Sequence, residues 1–143
     1  MIDMKRRVCC SGYFDPITVG HIEYFKKAKE FAGQDGKVIL IVNNDIQATL
    51  KKGRPFMKDV DRMEILRSIK YVDEVILSID KDRTVCETLS KLQGITHFVN
   101  GGDQSNQSIP ETKICDLLGI ELVDGFGEKI ASSSWLTGLK ALC

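Results

Sequence analysis

The chain has 143 residues, a length that points to one domain over 1–143 and that buries roughly 68–70% of the surface an unfolded chain exposes, with no need of a disulfide or metal to hold it together. Its 20 basic and 20 acidic residues cancel, which argues against a nucleic-acid-binding protein while leaving room for a local basic pocket. The start, MIDMKRRVCCSGYF, carries no signal-peptide apolar core, and no apolar run approaches the roughly 18 residues of a membrane span, so the expected location is cytoplasmic with no membrane contact.

Short apolar runs alternate with longer amphipathic stretches. Residues 7–12 read as a first strand, in which Cys9 and Cys10 are small buried hydrophobes; the five cysteines include no C-x-x-C pair. After a turn at Asp15 and Pro16, residues 21–32 read as a helix with Ile22, Phe25, Ala28 and Ala32 on one face and lysines on the other. The nearly all-apolar run 37–43 suits a strand buried on both faces of a parallel sheet. The stretch Gln47 to Pro55 reads as a loop after it. Residues 59–70 follow as a helix with Met63, Leu66 and Ile69 inward, then a strand at 74–79, a helix at 83–93 and a strand at 96–100. A helix at 111–118 stops at Gly119, a short strand occupies 120–123, and a closing helix at 133–142 opens on serines. This alternation predicts an α/β fold: a single-domain, doubly wound, parallel five-stranded sheet, Rossmann-like (HUP-type), with no internal repeat. Ligands of such sheets bind beyond the carboxyl ends of the strands, at the topological switch point.

The strongest motif joins the first strand to the first helix: Gly12, Tyr13, Phe14, Asp15, Pro16, Ile17, Thr18, Val19, Gly20, His21. A helix N-terminus offers free N–H groups and a positive dipole end to an anion, and Gly20 removes a side chain where a phosphate would approach. Thr18 and His21, three apart, can face the same side of the first turn and donate to phosphate oxygens. The string G-x-F-D-P-x-T-x-G-H resembles the signature of the HxGH nucleotidyltransferase (cytidylyltransferase-like) superfamily, with Thr18 standing where its first His usually is. Phosphopantetheine adenylyltransferases carry a similar D-P-I-T-x-G-H. The resemblance implies that Thr18 and His21 are catalytic and that Gly12, Tyr13, Phe14, Asp15 and Gly20 bind the nucleotide.

Three further motifs keep the order and spacing of that superfamily. In the segment after the second strand the resemblance implies a lysine closing over the α- and β-phosphates; Lys51 and Lys52 both match, Lys51 being favoured as catalytic and Lys52 as nucleotide-binding. Arg62 matches the arginine of the family's E-x-R helix start, where it supports the active site. Asn100, Gly101, Gly102 and Asp103 follow the fourth strand; the glycines let backbone approach a ligand, and Asp103 either holds a ribose hydroxyl or stays structural. This string resembles the G-G-D of heptose-1-phosphate adenylyltransferases, with related strings in glycerol-3-phosphate cytidylyltransferases and archaeal FAD synthetases. Finally, Ser132, Ser133 and Ser134 resemble the family's I-S-[ST]-[ST] motif, with Ala131 replacing its Ile, and can bind the β- and γ-phosphates from a helix start.

The resemblance covers Arg7 to Leu136 and implies transfer of AMP or CMP from an NTP to a phosphorylated small molecule, such as a sugar or polyol phosphate, with release of pyrophosphate. Magnesium is expected to arrive with the NTP, bridging phosphate oxygens, since no carboxylate cluster would hold it alone. The implied partners are the NTP, the phosphorylated acceptor and a second copy of the chain in a homodimer. A CTP-dependent glycerol-phosphate-type cytidylyltransferase and a non-catalytic nucleotide-binding module are the competing readings.

Overall fold

A computed structural model describes residues 5–101 and 110–126. Gly102, Asp103, Ser132, Ser133, Ser134 and the helix expected at 133–142 lie outside the described residues. In chain order the elements are β1 (Arg7–Gly12), α1 (Val19–Ala32), β2 (Lys37–Val42), α2 (Asp45–Lys52), α3 (Asp59–Arg67), β3 (Glu74–Leu77), α4 (Cys86–Lys91), β4 (His97–Gly101), α5 (Glu111–Leu118) and β5 (Glu121–Phe126). The five strands form one parallel sheet in the order β3-β2-β1-β4-β5. The chain leaves β1 toward β2 on one side and later returns to pair β4 on the other. The switch point therefore lies beyond the carboxyl ends of β1 and β4, where the register pairs Cys10 with Val99.

Two-sided burial explains why β1 and β2 read as unbroken apolar runs. Val38, Leu40 and Val42 of β2 join Val8 and Cys10 of β1 in a core against Phe25 of α1 and Leu66 of α3. The alternate residues Cys9, Ile39 and Ile41 turn to the other face, against Leu89 of α4 and Cys115 of α5. The adjacent cysteines thus serve opposite faces. Burial pushes the Cys10 thiol up to about 12 and raises that of Cys9 as well, so both behave as hydrophobes. Among the described residues, no helix is long and apolar enough to cross a membrane.

The sheet, its parallel sense and most elements agree with the sequence pattern. Two segments differ, and the first, the stretch around Gln47, is no loop. Asn44 caps α2 by accepting from the Gln47 N–H at 2.9 Å, and the Gln47 side chain accepts the Asn44 N–H at 3.0 Å. This is a capping box built on Asn and Gln. It puts Lys51 and Lys52 on the last turn of a helix. The helix expected at 83–93 begins only at Cys86, because the Asp82 carboxylate accepts the Thr84 N–H (2.9 Å) and hydroxyl (2.7 Å) and holds a turn there.

Leu40 is fully buried in β2, the strand between β1 and β3. Leu40→Ala should lower the unfolding free energy by about 2–5 kcal/mol. Equilibrium urea denaturation measures this directly, and a loss under about 1 kcal/mol would contradict the two-sided burial of β2.

Candidate active site

The loop from β1 to α1 is shaped by one aromatic ring. Phe14 has a φ of 52°, a left-handed conformation that costs a non-glycine residue on the order of 1–3 kcal/mol. Its buried ring offsets that cost by packing edge-on to Phe25 (5.2 Å between centroids) and to His21 (5.1 Å). Gly12 makes the arrangement possible, since a Cβ there would lie 2.8 Å from the Phe14 ring. The space that Gly12 leaves is filled by Phe14.

Asp15 follows, joined to Pro16 by a cis peptide bond. Its buried carboxylate accepts the Phe56 N–H (2.7 Å) and the Met57 N–H (2.6 Å) and pairs with Lys52 Nζ at 3.0 Å. Lys52 also donates to the Asp15 carbonyl at 2.6 Å, and its ammonium is itself buried. Asp15 and Lys52, both expected among the nucleotide-binding groups, pair with each other as a strut between the β1–α1 loop and the last turn of α2.

Arg62, grouped with the catalytic residues for its expected support of the active site, is fully buried. Its guanidinium donates to the carbonyls of Met57 (2.9 Å), Tyr13 (2.6 Å) and Asn43 (2.7 Å) and to the Asp45 carboxylate (2.9 Å). With four donors committed inside the protein, it is a positioning residue. Its burial leaves no trace in hydrophobic periodicity, which is why its place was not legible.

Thr18 and His21 do meet. Thr18 is the N-cap of α1, its hydroxyl accepting the His21 N–H at 3.4 Å, and its own N–H donates to His21 Nδ1 at 3.0 Å. The box uses histidine where Glu or Gln is usual. Because Nδ1 accepts, the neutral ring carries its proton on Nε2. Burial, and after it the charge of Lys51, holds the His21 pKa down to about 4. At neutral pH His21 is therefore an uncharged N–H donor. The first turn of α1, with Gly20 in it, contains no acidic residue. Its positive end is not compensated from within the helix.

Lys51 lies beside this terminus. Its ammonium sits 4.4 Å from the centroid of the Tyr13 ring, a cation–π contact, and its charge is felt by His21. Adjacent helix positions point in different directions, so Lys51 faces the site while Lys52 is buried under it. Asn100 and Gly101 end β4, next to β1 in the sheet. The structure thus brings together Tyr13, Phe14, Thr18, Gly20, His21 and Lys51, with Gly12, Asp15, Lys52 and Arg62 as the framework behind them. Sequence reading missed Asn44 and Gln47, although N-x-x-Q directly after an apolar run is a recognisable helix start. Among the described residues, no group of three His, Cys, Asp or Glu side chains could hold a metal ion.

Two outcomes follow from this geometry. Lys52→Met should cost about 3–5 kcal/mol of stability, because it leaves Asp15 buried without its partner. Lys51→Met should cost less than this, because Lys51 is only partly buried whereas Lys52 is buried against a buried carboxylate. Thermal unfolding of the two variants checks this, and equal losses would contradict the division of the pair. For His21, the folded value near 4 lies below the ordinary 6.5, so the unfolded chain binds a proton that the folded one refuses. Stability is fully present above pH 6.5 and is lost as pH falls toward 4. In His21→Ala this part of the acid sensitivity should vanish. Urea titrations from pH 4 to 7 compare the two, and identical pH dependence would contradict a buried neutral ring.

The comparisons with known proteins fit this geometry. The family model described as cytidylyltransferase-like matches residues 9–128. An FAD synthase of Korarchaeum cryptofilum is 36% identical over 147 residues, covering 100% of this chain and 98% of that protein. The bifunctional protein HldE of Citrifermentans bemidjiense is 32% identical over 90% of this chain, although the match takes in only 28% of that longer protein. The crystal structure of a lipopolysaccharide core biosynthesis protein from Thermoplasma volcanium superposes with a TM-score of 0.69, covering 86% of this chain and 98% of the other at 24% identity, and shares the fold. With a capped, unacidified helix start at the switch point of a parallel sheet, a neutral histidine and a lysine beside it, and a family match over most of its length, the chain belongs to the cytidylyltransferase-like family of nucleotidyltransferases.

Proposed function

We propose that this protein transfers the AMP moiety of ATP to a phosphate-bearing acceptor of the flavin mononucleotide class, releasing pyrophosphate. The observation that carries the reading is the meeting of His21 and Lys51 at the positive end of α1. A neutral N–H donor, a cation and free backbone N–H groups converge where a polyanion would rest. The full-length likeness to an FAD synthase supports adenine as the base and a flavin phosphate as the acceptor. FAD is what results when AMP is joined to the phosphate of flavin mononucleotide.

An oxygen of the acceptor phosphate attacks the α-phosphorus in line. The new P–O bond forms as the bond from the α-phosphorus to the bridging oxygen of the β-phosphate breaks, and pyrophosphate leaves with the electron pair. No side-chain nucleophile is needed. His21 donates through Nε2 and Lys51 adds charge, both acting on phosphate oxygens whose negative charge grows in the transition state. Thr18 fixes the tautomer that makes this donation available. Magnesium, carried in on the triphosphate, would neutralise and orient its oxygens. The buried Asp15 carboxylate is committed to protein donors, which fits an ion held by the nucleotide and not by a carboxylate cage.

A matrix of ATP and CTP against flavin mononucleotide, a heptose phosphate and glycerol 3-phosphate, read by pyrophosphate release, tests the proposal. ATP with flavin mononucleotide should release pyrophosphate in step with FAD formation. Release with another pair alone would reassign donor and acceptor, and release with none would remove the enzymatic reading. In the productive pair, His21→Ala should lower kcat by roughly 100- to 1000-fold, the scale of losing one preorganised donor to a developing charge. Unchanged kcat would remove His21 from the chemistry.

A further inference from the structure

The amino end of α2 grips a neighbouring segment far more extensively than capping requires. A cap needs one bond, and Asn44 Oδ1 accepts it from the Gln47 N–H. Both side-chain amides then turn their N–H groups outward. Asn44 Nδ2 donates to the carbonyls of Ser78 and Asp80, each at 2.9 Å. Gln47 Nε2 donates to the carbonyls of Asp82 and Thr84, each at 2.7 Å. The four acceptors are alternate residues of the segment following β3. Two amides thus hold one edge of that segment, and none of these four bonds satisfies the backbone of α2 itself.

The segment is fixed from its other side. The buried Asp80 carboxylate accepts the Glu87 N–H at 2.8 Å and the Thr88 N–H at 2.9 Å, at the start of α4. The backbone that α2 grips is therefore rigidly joined to the rest of the fold. Gln47 is fully buried, and Lys51 lies four residues later, on the same side of α2 one turn on. Any rotation of α2 about its axis moves both together. At its far end α2 is held by Lys52 on Asp15.

From this we propose that Asn44 and Gln47 are positioning residues of the nucleotidyl transfer: by registering α2 on the 78–84 segment they hold the Lys51 ammonium over the Tyr13 ring, beside His21. The proposal deepens the reading of Lys51 as a phosphate-side cation and rests on it. Its consequence is that a segment at the edge of the sheet, two strands from the switch point, controls turnover through the orientation of one helix.

The test reads the place of Lys51 independently of activity. Stacked over Tyr13, the ε-methylene protons of Lys51 carry an upfield ring-current shift that NMR measures in the free protein. Gln47→Met keeps the size of the side chain and leaves the Asn44 cap bond in place, while removing both donors to Asp82 and Thr84. It should move the Lys51 signal toward its random-coil position and lower kcat for pyrophosphate release by up to about 100-fold, the scale of a misplacement near 1 Å, with little change in the KM for nucleotide. Simple loss of stability would reduce the folded fraction without moving that signal. Asp82→Ala is the second variant, since Asp82 is exposed and shapes the turn that presents the two carbonyls. It should give the same displacement more weakly, and it decides the matter where Gln47→Met does not fold. A Lys51 signal unmoved in the folded variant overturns the proposal. A signal that moves in a protein whose wild type releases no pyrophosphate upholds the positioning device and overturns instead the catalytic reading it serves.

Discussion

Parallel strands end with backbone groups aimed into the loops beyond the sheet, and loops packed against one another must satisfy those groups without water. Here the task falls to the Arg62 guanidinium, which gathers carbonyls from the loop after β1, the residue after β2 and the segment before α3. Only a planar fork with several N–H groups can bind three backbone carbonyls and a carboxylate at once; a lysine has neither the geometry nor the reach. A buried charge of this kind is retained because each of its contacts fixes the place of another element. Asp45, its anionic partner, also accepts the Asp59 N–H at 2.8 Å, while Asp59 accepts the Asp45 N–H at 2.9 Å. The amino ends of α2 and α3 are clasped together around the same guanidinium. The loop that presents Tyr13, Phe14 and Thr18 is thereby tied to the helix that presents Lys51.

Around that centre the charged groups separate into two kinds. Asp15, Lys52 and Arg62 are buried and paired, and their energy goes into shape. Lys51 and His21 are less enclosed; their contacts include a cation–π approach, a cap and an aromatic edge. In the proposed transfer these two would meet the phosphates.

Much of this was readable in the sequence, for identifiable reasons. The strand Arg7–Gly12 and the helix Glu111–Leu118 agree with their expected bounds because two-sided burial and a terminal glycine each leave a local pattern. The meeting of Thr18 and His21 followed from helical spacing. What stayed hidden depends on long-range contacts. Nothing local distinguishes Lys51 from Lys52 until Asp15, 37 positions before Lys52, is known to reach it. Arg62 was expected to support the active site, but the three backbone segments that converge on its guanidinium are visible only in the fold. Gly12 was expected among the nucleotide-binding residues, and only the left-handed backbone of Phe14 shows that a ring of the protein packs against it. The exception is α2, whose Asn44 and Gln47 formed a legible capping box that the lysines and Gly53 after it obscured.

The depressed pKa of His21 has a consequence for proton bookkeeping during binding. An anion settling against the α1 terminus favours the protonated ring and pulls its pKa upward. A histidine starting at its ordinary 6.5 would be carried past neutrality, and binding would draw a proton from the buffer. Starting near 4, the ring can rise by about two units and remain mostly neutral. In the proposed transfer its bond to a phosphate oxygen would then stay that of a neutral donor.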